Sequence, residues 1–213
     1  ADPDQLRTFI NTTLGEPFEI DYSNKLSAEG LMTRVEPYEP GHCPEGVLLL
    51  TAGVDTQGDR IEVSVWGWGA GEEGWLIWHQ ALMGDPALPE VWTQLDHVLS
   101  TEWTTEVGSA LKIRQMAIDS GGHHTHPVYL YCRERAQQGV IAIKGSSQRN
   151  QPVIGKGRPV DINWRGKVVK RGAVVYAVGT DTTKTTMYGR LRHCEPGPGY
   201  FHFNQGADED YFK

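Results

Sequence analysis

Two apolar runs in this chain each end on an aspartate, and no other feature constrains the fold as tightly. They are Val47–Asp55 (VLLLTAGVD) and Ile113–Asp119 (IRQMAID). The turn residues Thr56-Gln57-Gly58-Asp59 follow the first, and Ser120-Gly121-Gly122 follow the second. A short, nearly continuous apolar run reads as a strand buried in a sheet. A buried strand that ends on a carboxylate carries its charge to the rim of that sheet. Two such strands side by side would place Asp55 and Asp119 within reach of one divalent cation, which prefers oxygen ligands. An Asp ahead of a Gly turn also serves as an ordinary turn cap. The pairing of two strand ends, rather than either aspartate alone, is what points to a metal.

The pattern between and after these runs predicts a mixed α/β domain. Arg60–Trp68 alternates, with Ile61, Val63 and Val65 on one face and Glu62, Ser64 and Trp66 on the other, which is the signature of a half-buried antiparallel strand. Trp75–Leu82 reads as a third strand, Ile113–Asp119 as the fourth and Val140–Lys144 as the fifth. Leu88–Leu99 has an apolar stripe at helical spacing, and a second helix is expected from Thr125, as its cap, to about Gln138. The order is β-β-β-α-β-α-β. Gly145–Lys170 has no firm period and reads as a long loop or ribbon. Ala173–Val178 is a further strand, Asp181–Arg192 a helix capped by Asp181, and Tyr200–Phe203 a short strand. Ahead of the sheet, Leu6, Phe9, Ile10 and Leu14 lie at helical spacing with Gly15 as a stop. Pro37, Pro40 and Pro44 mark a linker or a strap.

With 213 residues the chain fits one domain plus appendages. No run approaches the roughly 20 apolar residues of a membrane span, and the start shows no signal-peptide pattern. The three cysteines, Cys43, Cys132 and Cys194, are far apart and form no CxxC pair, so free thiols in a reducing cytoplasm are expected. The net charge of −7 argues against a protein that simply coats DNA. Charge is uneven, however. Lys144, Arg149, Lys156, Arg158, Arg165, Lys167, Lys170 and Arg171 form a basic strip in which Asp161 is the only acid. Such a strip on an acidic domain suits a protein that grips phosphate and also holds cations.

Acids on a first, central strand and on a fourth strand beside it match the RNase H-like arrangement. There a third acid comes from a late helix, and Asp208, Glu209 and Asp210 are the candidates. Two Mg2+ or Mn2+ ions about 4 Å apart would then activate a water and stabilise the leaving oxygen of a phosphodiester. Acidic chain ends are also commonly just solvated. His123, His124 and His126 follow Asp119, but no Cys or HExxH pattern accompanies them as a zinc site would require. His123 reads as a DNA-phosphate contact or as a plain loop residue. Glu62 sits within reach of the same site or on a solvated face. Lys144 reads as a phosphate contact or a surface lysine, and Trp164 as a stacking residue inside the basic strip.

Several longer segments resemble a known family. Thr51–Gly69 (TAGVDTQGDRIEVSVWGWG), Ala117–Thr125 (AIDSGGHHT), Ala142–Gly145 (AIKG), Glu195–Phe203 (EPGPGYFHF) and the opening Asp2–Glu19 are similar to the large terminase subunit of tailed phages of the lambda gpA type. That resemblance covers nearly the whole chain. It implies a packaging motor with an N-terminal ATPase and a C-terminal, RNase H-like, metal-dependent nuclease that cuts concatemeric phage DNA in the host cytoplasm. Its first acid maps onto Asp55 and its second onto Asp119; the third falls on Asp208 or Asp210. No GxxxxGK[ST] is present, so no ATP site is expected in this chain. Residues 1–46 are expected to be a remnant of the ATPase junction and linker, and residues 47–213 the nuclease domain, without the tail that docks on the portal. Double-stranded DNA, a small terminase subunit and the portal are the implied partners. A non-catalytic docking domain and a resolvase-like nuclease on branched DNA are the rival readings.

Overall fold

The computed structural model describes residues 9–14, 27–164 and 166–212. Its centre is an eight-stranded mixed sheet. The strands are β1 (Leu49–Thr56), β2 (Arg60–Trp68), β3 (Gly74–Met83), β4 (Ile113–Asp119), β5 (Val140–Ser146), β6 (Gly157–Trp164), β7 (Lys167–Gly179) and β8 (Phe201–His202). Across the sheet they run β8-β3-β2-β1-β4-β5-β7-β6. β1, β2 and β3 form an antiparallel meander. β4 pairs parallel to β1, β5 parallel to β4 and β7 parallel to β5. The first strand is thus central with the fourth beside it, as its apolar run and closing acid led one to expect.

The helices are α1 (Ala28–Met32), α2 (Pro89–Ser100), α3 (Thr125–Glu134), α4 (Thr180–Arg190) and α5 (Glu209–Phe212). α2 and α3 cover one face of the sheet. Val91, Trp92, Leu95, Val98 and Leu99 from α2 and Val128, Tyr131 and Cys132 from α3 pack on Leu50, Val54, Ile61, Val63, Val65, Met116 and Ile118. Fully burying one such side chain contributes about 1.5–3 kcal/mol. The two helices are also tied at the rim. Asp96 accepts hydrogen bonds from Arg135 at 2.6 Å and from the Tyr131 hydroxyl at 2.9 Å. The turn from α3 into β5 needs Gly139, at φ +81, because a Cβ there would lie 2.5 Å from the Arg114 carbonyl oxygen.

The opposite face has a smaller apolar cluster confined to the β2–β3 side. Leu76, Phe201, Phe203 and Ala207 are buried there, with Trp66, Trp68, Tyr211 and Phe212 packed against them. A strap from the N-terminal side closes over this cluster. Val35 bridges Phe203, the Glu36 amide donates to the Phe203 carbonyl, and the Tyr38 hydroxyl donates to the Leu76 carbonyl. The Pro-rich stretch is therefore a strap on the sheet itself, and Cys43 at its end is fully buried.

Element boundaries correct some sequence expectations. β1 begins at Leu49 rather than Val47. Gly145–Lys170 contains a true hairpin, β6–β7, and β7 starts at Lys167 rather than Ala173. Thr125 does not cap α3: its hydroxyl donates to the Ser120 and Gly122 carbonyls, and His124 holds the cap position. Asp181 does not cap α4 either; Gly179 is the cap residue and Asp181 lies in the first turn. Ile10–Leu14 forms a single π-helical turn, while Leu6 and Gly15 lie outside the described residues. The cysteines are unpaired. Among the described residues no helix is long and apolar enough to cross a membrane.

Candidate active site

Strand alternation decides where the acids go. Leu50, Ala52 and Val54 of β1 and Met116 and Ile118 of β4 are buried under α2 and α3, so the intervening residues point to the other face. Ala52 pairs with Met116 and Val54 with Ile118. One residue on, Asp55 and Asp119 stand side by side at the ends of two parallel strands, on the face away from the main core. Asp55 is exposed and Asp119 half-buried. On the other side of Asp55, Glu62 of β2 is its cross-strand partner. Three carboxylates thus form a row across β4, β1 and β2.

The backbone and neighbouring side chains hold this row. The Gly121 amide donates to Asp119 Oδ1 at 3.0 Å. The Gln57 side-chain amide donates to Asp55 Oδ2. Ser120 is fully buried, and its amide and hydroxyl both donate to the Ile143 carbonyl at 2.8 Å, fixing the turn after Asp119 to β5. Glu62 accepts from Arg60 at 2.6 Å, and its other oxygen lies 3.6 Å from His79 Nε2. Next to Asp55, the floor of this face is Gly53, flanked by Ser64 and Ala117. A Cβ added at Gly53 would meet no atom within 4 Å, so the space over that floor is open.

His79 and the end of the chain continue the row towards β3. His79 Nδ1 lies 3.0 Å from the Ser64 hydroxyl. Burial lowers the His79 imidazole below its ordinary pKa, although Glu62, a backbone hydrogen bond at Val63 and the Asp208 charge all pull the other way. Asp208 therefore lies within electrostatic reach of this face. Asp210 lies inside α5, as does Glu209. Among the described residues no three of His, Cys, Asp and Glu are gathered closely enough to hold a metal ion. The structure brings Asp55 and Asp119 together and leaves Asp208 and Asp210 at a further remove.

The basic strip is divided. The level of Asp119 passes through Ile143 of β5 to Tyr176 of β7. Lys144 follows Ile143, is exposed, and lies on the alternate face from Asp119. Arg158 pairs with Val175 near the same level, with Lys156 just before β6; both are exposed, as is Arg149. Lys167, Lys170 and Arg171 are exposed at the opposite end of β7. At roughly 3.3 Å per residue, Lys167 lies about 25 Å along the ribbon from Tyr176. Arg171 sits at a positive φ of 54 in a bulge, its amide donating to Asp161 Oδ1 at 2.8 Å. The one acid of the strip thus caps backbone. Arg165 and the side chain of Trp164 lie outside the described residues. His123 is exposed in the turn after Asp119, His126 is exposed, and His124 is half-buried.

Sequence reading alone passed over His79, Ser64 and Gln57. Only the strand register reveals the first two beside Glu62, whereas Gln57, two residues from Asp55 in a turn, was visible as an orienting side chain.

Comparison with known proteins agrees with this geometry. The profile of the family described as "Terminase large subunit gpA, endonuclease domain" matches residues 1–213. The chain is 36% identical over 212 residues to the terminase large subunit of Escherichia phage lambda, covering 98% of this chain and 32% of that protein. It is 35% identical over 197 residues to the terminase large subunit of Enterobacteria phage P21, covering 92% of this chain and 29% of that protein. The chain spans about a third of the length of these relatives. No solved structure matches it. With the family profile extending over the whole chain, the protein belongs to the gpA-type terminase large subunit family, in its endonuclease domain.

Proposed function

We propose that this chain is the metal-dependent endonuclease part of a phage terminase large subunit. It cuts concatemeric double-stranded viral DNA in the host cytoplasm at the start and end of packaging. The observation that carries this reading is the placement of Asp55 and Asp119 side by side on one face, at the ends of two parallel central strands. The strand sequence β3-β2-β1-β4-β5 supports an RNase H-like sheet, and family membership supports DNA as the substrate.

The residues present fit a hard divalent cation. Carboxylate oxygens are the donors such ions favour, and the open space over Gly53 leaves room beside them. Asp55, Asp119 and Asp208 would hold Mg2+ or Mn2+, with Asp208 preferred to Asp210 because its charge already reaches His79 on this face. The bound metal would supply Lewis-acid activation of the phosphodiester and of the attacking water. The chain itself orients the ligands, through Gly121 on Asp119 and Gln57 on Asp55. His123, Lys156 and Arg158 offer positive charge near the acids, as does Lys144 at the same edge of the sheet. Lys167, Lys170 and Arg171 offer it at a distance. In the full-length protein, the small terminase subunit lends site recognition and the portal receives the motor.

Incubating supercoiled plasmid with the purified chain in Mg2+, Mn2+ or EDTA tests this. Nicking and linearisation with either metal and none in EDTA are expected. No cutting with either metal would favour a docking role instead. Cutting confined to branched DNA would favour the resolvase-like reading.

A further inference from the structure

The short helix α5 is fastened to the acid face through one side chain. The Tyr211 ring packs edge-on against His79 at 4.8 Å between centroids and against Phe212 at 5.3 Å. Its hydroxyl is hydrogen-bonded by Ser64 and Trp66, both on β2 and both on the same face as Asp55. Ser64 in turn meets His79, which approaches Glu62, the cross-strand partner of Asp55. At its other end, the Tyr211 amide donates to Asp208 Oδ1 at 3.0 Å. A single residue therefore touches the sheet through its phenol and the Asp208 carboxylate through its backbone. A helix of four residues is too short to hold itself, so the position of Asp208 depends on this anchor.

We propose that Tyr211 is a positioning residue for the nuclease, setting where Asp208 stands relative to Asp55 and Asp119. This rests on the metal-binding reading of the acid face. Tyr211 touches neither metal nor DNA and acts through Asp208. Partners of this kind are worth about 10- to 100-fold in metal affinity where they have been removed from other sites.

The test is Mn2+ titration by calorimetry on the purified chain and on Asp55→Asn, Asp208→Asn, Tyr211→Phe and the Asp208→Asn/Tyr211→Phe double variant. Tyr211→Phe keeps the ring and removes only the hydroxyl. It is expected to weaken Mn2+ binding about tenfold while leaving DNA affinity in EDTA unchanged. The double variant is expected to bind no more weakly than Asp208→Asn alone, because the two act as one unit. Unchanged Mn2+ affinity in Tyr211→Phe, or losses that simply add in the double variant, would overturn the role of Tyr211 while leaving the metal site standing. Failure of the unmodified chain to bind Mn2+, or equal binding by Asp55→Asn, would overturn the reading of the face and this inference with it.

Discussion

At the scale of single residues, the chain turns on which face of a strand a side chain occupies. Asp55 and Asp119 reach the open face because Val54 and Ile118, one residue before each, are committed to the core. A one-residue slip in either strand would bury an aspartate and expose an isoleucine or valine. Asp96 is a carboxylate of a different kind, one that ties structure together. Burial alone would raise its pKa, but hydrogen bonds from Arg135 and Tyr131 outweigh this and hold it below the ordinary value of 3.8. A carboxyl whose folded pKa is depressed adds stability above the unfolded value, and that stability is lost as pH falls through the folded one. The melting temperature of the unmodified chain should therefore exceed that of Asp96→Asn at neutral pH. The gap should close as pH falls below about 4; a gap that stays constant to pH 2 would contradict the role given to this ion pair. At this scale Asp55 and Asp119 were legible in the sequence, because a charged residue ending an apolar run has few ordinary explanations. His79 and Ser64 were not, because their meeting depends on register across β2 and β3.

At the scale of elements, the β6–β7 ribbon shows where pattern reading stops. Its strands carry basic and polar residues on surfaces that face solvent, so no apolar period marks them, and only the pairing of Gly157–Trp164 with Lys167–Gly179 defines them. The meander β1–β3 was legible for the opposite reason: one of its faces is fully buried and imposes strict alternation on β2. The ribbon places Lys167 and Lys170 far from the acids, so they should act on DNA binding rather than on cutting. Reversing both to Glu is expected to weaken DNA binding and to reduce the slope of log K against log salt by about 2. The rate of cutting at saturating DNA should hardly change. An unchanged salt slope, or a lost cutting rate with intact binding, would remove the ribbon tip from this role.

At the scale of the whole molecule, the N-terminal strap, the β2–β3 hairpin and the C-terminal segment meet at His202. Its two ring nitrogens lie 2.7 Å from Glu36 Oε1 and 2.9 Å from Glu73 Oε1, and its ring stacks on Trp75 at 4.8 Å. The side chain is 7% exposed. His202→Ala would leave two carboxylates without their shared partner and is expected to cost about 1–3 kcal/mol in denaturant unfolding. A cost within experimental error would mean the three segments are held by their backbone bonds and apolar contacts alone. The strap also explains why a boundary at residue 46 is hard to see in sequence: Pro37, Pro40 and Pro44 look like a linker, yet the backbone between them bonds to Phe203, Gln205 and Ile77. The third acid was illegible for the same reason, since its place is set by this long-range docking rather than by any local pattern. The central claim, that the acid face cuts DNA with a metal, is tested most directly by Asp55→Asn in plasmid cleavage with Mn2+, read beside DNA binding in EDTA. Loss of a ligand to a metal that stabilises the transition state by several kcal/mol should cost about 100-fold or more in cutting rate with binding retained. Cutting at the unmodified rate by Asp55→Asn would contradict it.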